Sequence, residues 1–208
     1  MSKIDLRKEM RDLYRPSGKA FSIVEVPPLN YLMIDGQGNP NTAPQYQTAL
    51  QALYKISYTL KFASKKQLGI DYVVMPLEGL WWAEDMDDFV AMNKDAWQWT
   101  MMMLQPEHIT AEMVEESRAA AGRKQPLTTL SQVRLERLHE GLSVQIMYVG
   151  SYADEGPTIA RMHTYIAANG YEPKGKHHEI YLSDPRRTAP ERLKTVIRQP
   201  VGRLTISD

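Results

Sequence analysis

Residues 177 to 185 read HHEIYLSDP and hold the side chains best suited to chemistry in this chain. In an extended segment successive side chains alternate, so Glu179, Tyr181 and Ser183 share one face while His178, Ile180 and Leu182 take the other. The apolar pair can then enter a core, leaving a carboxylate beside a phenol. Such a pair can orient a water or hold a cation against a ring, which suits a pocket for aromatic or cationic molecules. The same pattern also fits an ordinary surface strand, because charged residues are seldom buried.

Other acids and rings are spaced to join such a site. Glu78, in PLEGLWW, occupies a place comparable to Glu179 and fits either a pseudo-symmetric partner or a surface residue. Trp81 and Trp82 are adjacent and point apart in a strand, and parity aligns Trp82 with Glu78 and Leu80. Trp97 and Trp99 share a face with Met101 and Met103, a wall that serves flat ligands or packs a core equally well. Trp99, deeper in the run, is the ligand-facing candidate. Tyr148 and Tyr152 flank Gly150 and Ser151, where a phenol either donates to a developing oxyanion or caps its own turn. Tyr54 and Tyr58 lie off the apolar face of their helix, placed to lean over a cleft or to shield a sheet.

Several chemistries are excluded by spacing. His177 and His178 are strand neighbours that point apart, and no H-x-x-x-H or cysteine completes a metal site. Gly150-Ser151-Tyr152 is not the G-x-S-x-G elbow of a serine hydrolase. The glycines of DGQGNPN are not followed by the Gly-Lys-Ser/Thr of a phosphate loop. No metal and no cofactor is expected. Arg186, Arg187, Arg192, Lys194, Arg198 and Arg203 make the last segment locally basic, and solvation is their expected state.

Composition narrows the partners further. With 208 residues, 43% hydrophobic and 24% charged, the chain can build a substantial core. Lys plus Arg and Asp plus Glu both total 25, so nothing favours broad attraction to nucleic acid or an anionic membrane. Absence of cysteine excludes disulfides and a cysteine nucleophile, and fits a reducing cytoplasm. MSKIDLRKEM lacks the apolar stretch of a signal peptide, and even YVVMPLEGLWWA is too interrupted for a membrane span. A cytoplasmic location is expected.

The elements that must position these residues occur twice. Ala20 to Val26 and Asn30 to Asp35, separated by Pro27 and Pro28, read as a strand pair. A helix from about Pro44 to Ser64 follows, with Tyr46, Leu50, Leu53, Ser57 and Leu60 on one face. Ile70 to Met75 reads as a strand, an irregular acidic stretch surrounds EDMDD, and AWQWTMMMLQP supplies another strand. About 115 residues after the first pair the order returns: VRLERL, its partner GLSVQIMYVG, a helix with Ile159, Met162 and Ile166 inward and Gly170 as its stop, then HHEIYLSDP and LKTVIRQPV. Thr110 to Ala121 reads as a connector helix with Thr110 as N-cap. The fold expected is α+β: two pseudo-symmetric strand-strand-helix-strand-strand modules in tandem, with antiparallel sheets, helices on one face and a central groove. Module one spans about 19–106, the connector about 107–125 and module two about 130–201, within one domain of residues 1–208.

With PLEGLWW, WQWTMMMLQP, EGLSVQIMYVGSYADE and HHEIYLSDPRRTAPERLKTVIRQPV in view, the chain resembles the GyrI-like small-molecule-binding family, whose domain also forms the effector half of multidrug-sensing regulators of the BmrR type. The resemblance implies fused modules around an aromatic-walled cleft with an acid at its floor, by motif Glu179. It implies a flat, hydrophobic or aromatic small molecule, neutral or cationic, as ligand. IDLRKEMRDLYRPSGK is too short for a helix-turn-helix domain, so this looks like the ligand-binding part standing alone. Some stand-alone members similar to this one open the cyclopropane ring of DNA-alkylating compounds with water; others only bind. On that pattern Glu179 and Tyr148 would carry chemistry, with Tyr181, Trp82, Trp99, Glu78, Tyr152 and Tyr58 around the ligand. The alternatives are a passive sequestering or sensing module and, from the family name alone, a gyrase-inhibiting protein partner.

Overall fold

Two prolines in succession set the path of the chain. Pro27 and Pro28 separate strand β1 (Ser22–Val26) from β2 (Leu29–Gln37). Their fixed backbone angles and missing N–H groups are incompatible with the two-residue turn a hairpin needs. The expected pair does not form. Instead β1 runs antiparallel to β6 (Gly141–Val149), and β2 pairs with β4 (Gln98–Gln105) and β5 (Arg134–Leu138). VRLERL and GLSVQIMYVG, expected as partners, likewise separate, because Glu140 in the link between them is drawn into a buried ion network rather than a turn.

The computed structural model describes residues 3–84, 93–124 and 127–204. Most of the acidic stretch around EDMDD, from residue 85 on, lies outside them. The chain divides into two compact units, residues 1–6 with 29–138 and residues 7–28 with 139–208. Among the described residues no helix is long and apolar enough to cross a membrane.

In the first unit the antiparallel order is β3 (Leu77–Trp82), β4, β2, β5. Helix α3 (Pro44–Gln67) begins with proline in its first turn, where no N–H bond is lost. It buries Ala49, Ala52, Leu53, Ile56, Ser57, Leu60 and Ser64, a stripe at helical spacing. The stripe packs on the sheet face of Trp99 and Met103: the Ser57 hydroxyl lies 3.2 Å from Met103 Sδ, and the Tyr46 ring stands edge-on to Trp99 at 5.2 Å. Gly36 makes room, since a Cβ there would fall 2.1 Å from Trp99 Cη2. Ile70 to Met75, expected as a strand, carries only a parallel bridge between Ile4 and Tyr72. The ladder with β4 begins at Glu78, past Pro76, which offers no N–H to a ladder. Helix α4 (Ala111–Lys124) starts where Thr110 Oγ1 accepts from the N–H of Met113, the expected cap.

In the second unit the order is β1, β6, β9 (Lys194–Arg203), β8 (His177–Tyr181), with short β7 (Tyr171–Pro173) also on β9. Helix α5 (Gly156–Ala168) lays Met162 and Ile166 on Val144, Ile146, Ile197 and Val201, with Ile159 against the same cluster. Each such side chain contributes about 1.5–3 kcal/mol on burial. Gly170, with φ at +77°, ends it as expected. The opposite face carries chain as well. There the short helix α1 (Leu6–Glu9) is followed by α2 (Arg11–Tyr14), whose own carbonyls bond the sheet: Gln145 Nε2 donates to the Asp12 carbonyl and Arg198 Nη2 to that of Leu13.

Candidate functional site

Alternation along β8 is as the sequence predicts, and β9 shows which face is which. Glu179 stands opposite Ile197 and Tyr181 opposite Thr195; across the next ladder Ile197 meets Ile146 and Thr195 meets Tyr148. Ile146 and Ile197 belong to the cluster under α5, so Glu179 and Tyr181 lie on the helix-bearing face. His178 and Ile180 are fully buried on the other.

Glu179 is gripped by its own strand. Tyr181 donates its hydroxyl to Oε2 at 2.9 Å, and His177 Nε2 lies 3.2 Å from Oε1. The three follow one another at every second position and so share a face. The His177 side chain is only 4% exposed, whereas that of Glu179 keeps 14% open to solvent. The Tyr152 ring, in the turn before α5, stands edge-on to Tyr181 at 5.5 Å. This gives a carboxylate with fixed orientation beside the Tyr181 phenol, whose ring is backed by Tyr152. Each of its oxygens retains a second lone pair for a water or a cation.

Tyr148 belongs to the same sheet face, in one row with Thr195 and Tyr181. Its hydroxyl donates to the Ser151 carbonyl at 3.0 Å, so it closes its own turn. Gly150 permits this, because a Cβ there would lie 2.4 Å from the Tyr148 oxygen. Burial, then the charges of Glu155 and Asp154, push the phenol above its ordinary pKa. Thr195 is fully buried between the two tyrosines, and Glu155 is buried at the start of α5. Neither stood out in the sequence.

Behind this face sits a second constellation that the sequence did not disclose. Glu140 accepts from Arg198 Nη1 at 3.1 Å and lies 2.9 Å from His178 Nδ1, while Arg198 also donates to Gln145 Oε1. Arg198, expected in solvent, is 1% exposed. The correction has a simple cause: Arg198 points inward on β9 beside His178 and Gln145, its register partners. Burial by itself would raise the Glu140 carboxyl, but the charge and hydrogen bond of His178, with Arg198, hold it down at about 2.

The remaining candidates lie in the first unit, and the structure separates them. Glu78, Leu80 and Trp82 share a face, opposite Met102, Thr100 and Gln98, and Glu78 is fully buried. That face turns away from α3. Trp99 lies on the other side, fully buried beneath α3, with its indole N–H donating to the Gly38 carbonyl at 3.3 Å. The rings grouped on that side are Tyr46, Trp81, Trp97 and Trp99. Tyr58 is nearly half exposed along with Tyr54 and Phe62 on the outer side of α3. Glu78 is therefore not the counterpart of Glu179: one faces away from its helix, the other toward it. Among the described residues no group of three or more His, Asp or Glu could hold a metal ion.

Comparison with known proteins places the fold. The sequence profile of the GyrI-like small molecule binding domain matches residues 19–201. No curated protein matches the chain. Among solved structures, an uncharacterized conserved protein from Listeria innocua is 42% identical, with 96% of this chain and 100% of that one covered and a TM-score of 0.88. A hydrolase from Listeria innocua is 41% identical over 96% and 100%, at a TM-score of 0.84. The EcmrR C-terminal domain is 9% identical over 89% and 98%, at 0.58, a likeness of fold alone.

Proposed function

Since this chain belongs to the family of GyrI-like small-molecule-binding domains, we propose that it binds a flat, hydrophobic, partly aromatic molecule at the Glu179 face and hydrolyses it when it carries a strained electrophilic carbon. The observation that carries this reading is the Glu179 carboxylate, held on one oxygen by Tyr181 and lying close to His177 on the other, with the Tyr152 ring edge-on to Tyr181. Similarity to the Listeria hydrolase over nearly the whole chain supports it. A cyclopropane fused to a conjugated dienone is the substrate class that such a site suits.

Glu179 acts as general base. A water bound to its free lone pair attacks the cyclopropane methylene, and the carbon–carbon bond breaks toward the ring system. The electron pair ends on the conjugated carbonyl oxygen as a phenolate. The proton taken from water by Glu179 returns to that oxygen, so the net reaction is addition of one water. The developing charge calls for a phenol donor. Tyr181 already lies beside the carboxylate, and Tyr148 becomes available if it leaves Ser151. No covalent intermediate and no cofactor is needed.

The test is to give catalytic amounts of protein an excess of a cyclopropane-bearing dienone in heavy-oxygen water. Complete consumption, with heavy oxygen on the former methylene carbon, is expected. Consumption that stops at one equivalent identifies a sequestering protein instead and overturns the hydrolase reading.

A further inference from the structure

Deepening that reading of the Glu179 site, we propose that His177 is its positioning residue: its Nε2–H donates to Oε1 and fixes the carboxylate so that the attacking water is held toward the substrate. The geometry has three parts. First, the distance of 3.2 Å from Nε2 to Oε1 is that of a hydrogen bond, and an ionised carboxylate only accepts, so the proton resides on Nε2. Second, the His177 side chain is buried while that of Glu179 is partly exposed, so the histidine reaches the acid from the protein side. Third, Tyr181 holds Oε2 at 2.9 Å from the other side along the strand. A carboxylate free to rotate about its last bond presents a lone pair to the water only part of the time. One pinned at both oxygens presents the same lone pair continuously, and misplacing a reacting group by ~1 Å can cost roughly a hundredfold in rate.

The backbone explains why the partner is this histidine. Strand parity brings residues 177, 179 and 181 to one face, and His178 is committed to Glu140 on the reverse. Among amide side chains, glutamine carries its donor nitrogen about as far from the backbone as imidazole Nε2, whereas asparagine carries its donor where Nδ1 would be. The two therefore separate the role of the bond from that of bulk.

Two measurements test the assignment. Long-range proton–nitrogen NMR of the histidine rings in the wild-type protein should show His177 protonated at Nε2, with that resonance displaced in Glu179→Gln. A ring protonated only at Nδ1 would overturn the proposal, whether or not the protein is a hydrolase. In turnover of the cyclopropane dienone, His177→Leu and His177→Asn should lose at least about tenfold in kcat with KM changed less than about threefold, and His177→Gln should stay within about threefold of wild type. Should His177→Leu fail to fold, the Asn and Gln pair carries the comparison. Wild-type kcat in His177→Asn, or a loss confined to KM, would refute positioning. A wild-type protein without turnover would instead refute the hydrolase reading, leaving the NMR result to decide His177.

Discussion

Glu140→Gln preserves the side chain's shape and removes its charge, so it isolates what the buried ion network contributes. The carboxyl is held at about 2 against an ordinary 4.5, first against the cost of burial and then by His178 and Arg198. At ~1.36 kcal/mol per pKa unit this amounts to about 3 kcal/mol of stability at neutral pH. An independent estimate agrees: breaking a buried ion pair by removing one partner costs roughly 3–5 kcal/mol, because Arg198 remains charged and buried. For a chain of this size the lower figure lowers Tm by about 6–12 °C. The pH dependence has a definite sign. Because the folded-state pKa is depressed, the contribution is fully present above about 4.5 and is lost as pH falls from there toward 2. Urea denaturation of both proteins at pH 7, 4.5 and 2.5 should therefore show a gap of about 3 kcal/mol at pH 7 that narrows to about 1 kcal/mol at pH 2.5, where the unfolded-state carboxyl is protonated and the folded one nears its own pKa. A variant within about 1 kcal/mol of wild type at pH 7, or a gap unchanged at pH 2.5, refutes the reasoning. Replacing the pair together, Glu140→Leu with Arg198→Met, should cost less than either change alone.

Three further outcomes follow from contacts at single residues. Gly36→Ala drives a Cβ into the Trp99 ring, which α3 holds in place, and should destabilise by about 3 kcal/mol or more in urea denaturation; Gly36→Ala with Trp99→Leu should recover part of it. Gly150→Ala collides with the Tyr148 hydroxyl and should release it from Ser151, seen as an altered Tyr148 ring resonance and a loss of about 1–3 kcal/mol. Tyr181→Phe removes the donor to Glu179 Oε2 and should lower kcat for the cyclopropane dienone roughly tenfold, with unfolding free energy changed by less than about 2 kcal/mol. Unchanged kcat in that variant would show that the hydroxyl does not serve the carboxylate.

Much of the fold could be read from local pattern. Pro44, the stripe from Ala49 to Ser64, the Thr110 cap and Gly170 each act within a turn or two of chain, and each marks its helix where the structure has it. Strand partners are another matter. Pro27 and Pro28 speak against a hairpin beside Val26, but nothing near them records that Val26 will meet Gly141 instead, because that choice depends on residues more than a hundred positions away. Parity also tells which side chains share a face without telling which face the helix covers. For that reason the sequence could align Trp82 with Glu78 and still leave Glu78 open between a partner of Glu179 and a surface residue. Arg198 illustrates the same gap: a basic residue in a basic segment reads as solvated until Glu140, 58 residues earlier, is seen beside it. His177 was within reach, since the rule that paired Glu179 with Tyr181 places it two residues back on the same face.

The most direct measurement of the central claim compares turnover and binding in Glu179→Gln, which keeps the size of the side chain but cannot act as a base. Turnover of the cyclopropane dienone should disappear while affinity for a neutral aromatic analogue stays within about tenfold, or ~1.4 kcal/mol, of wild type. Equal loss of both would make Glu179 a structural residue, and undiminished turnover would remove it from the chemistry.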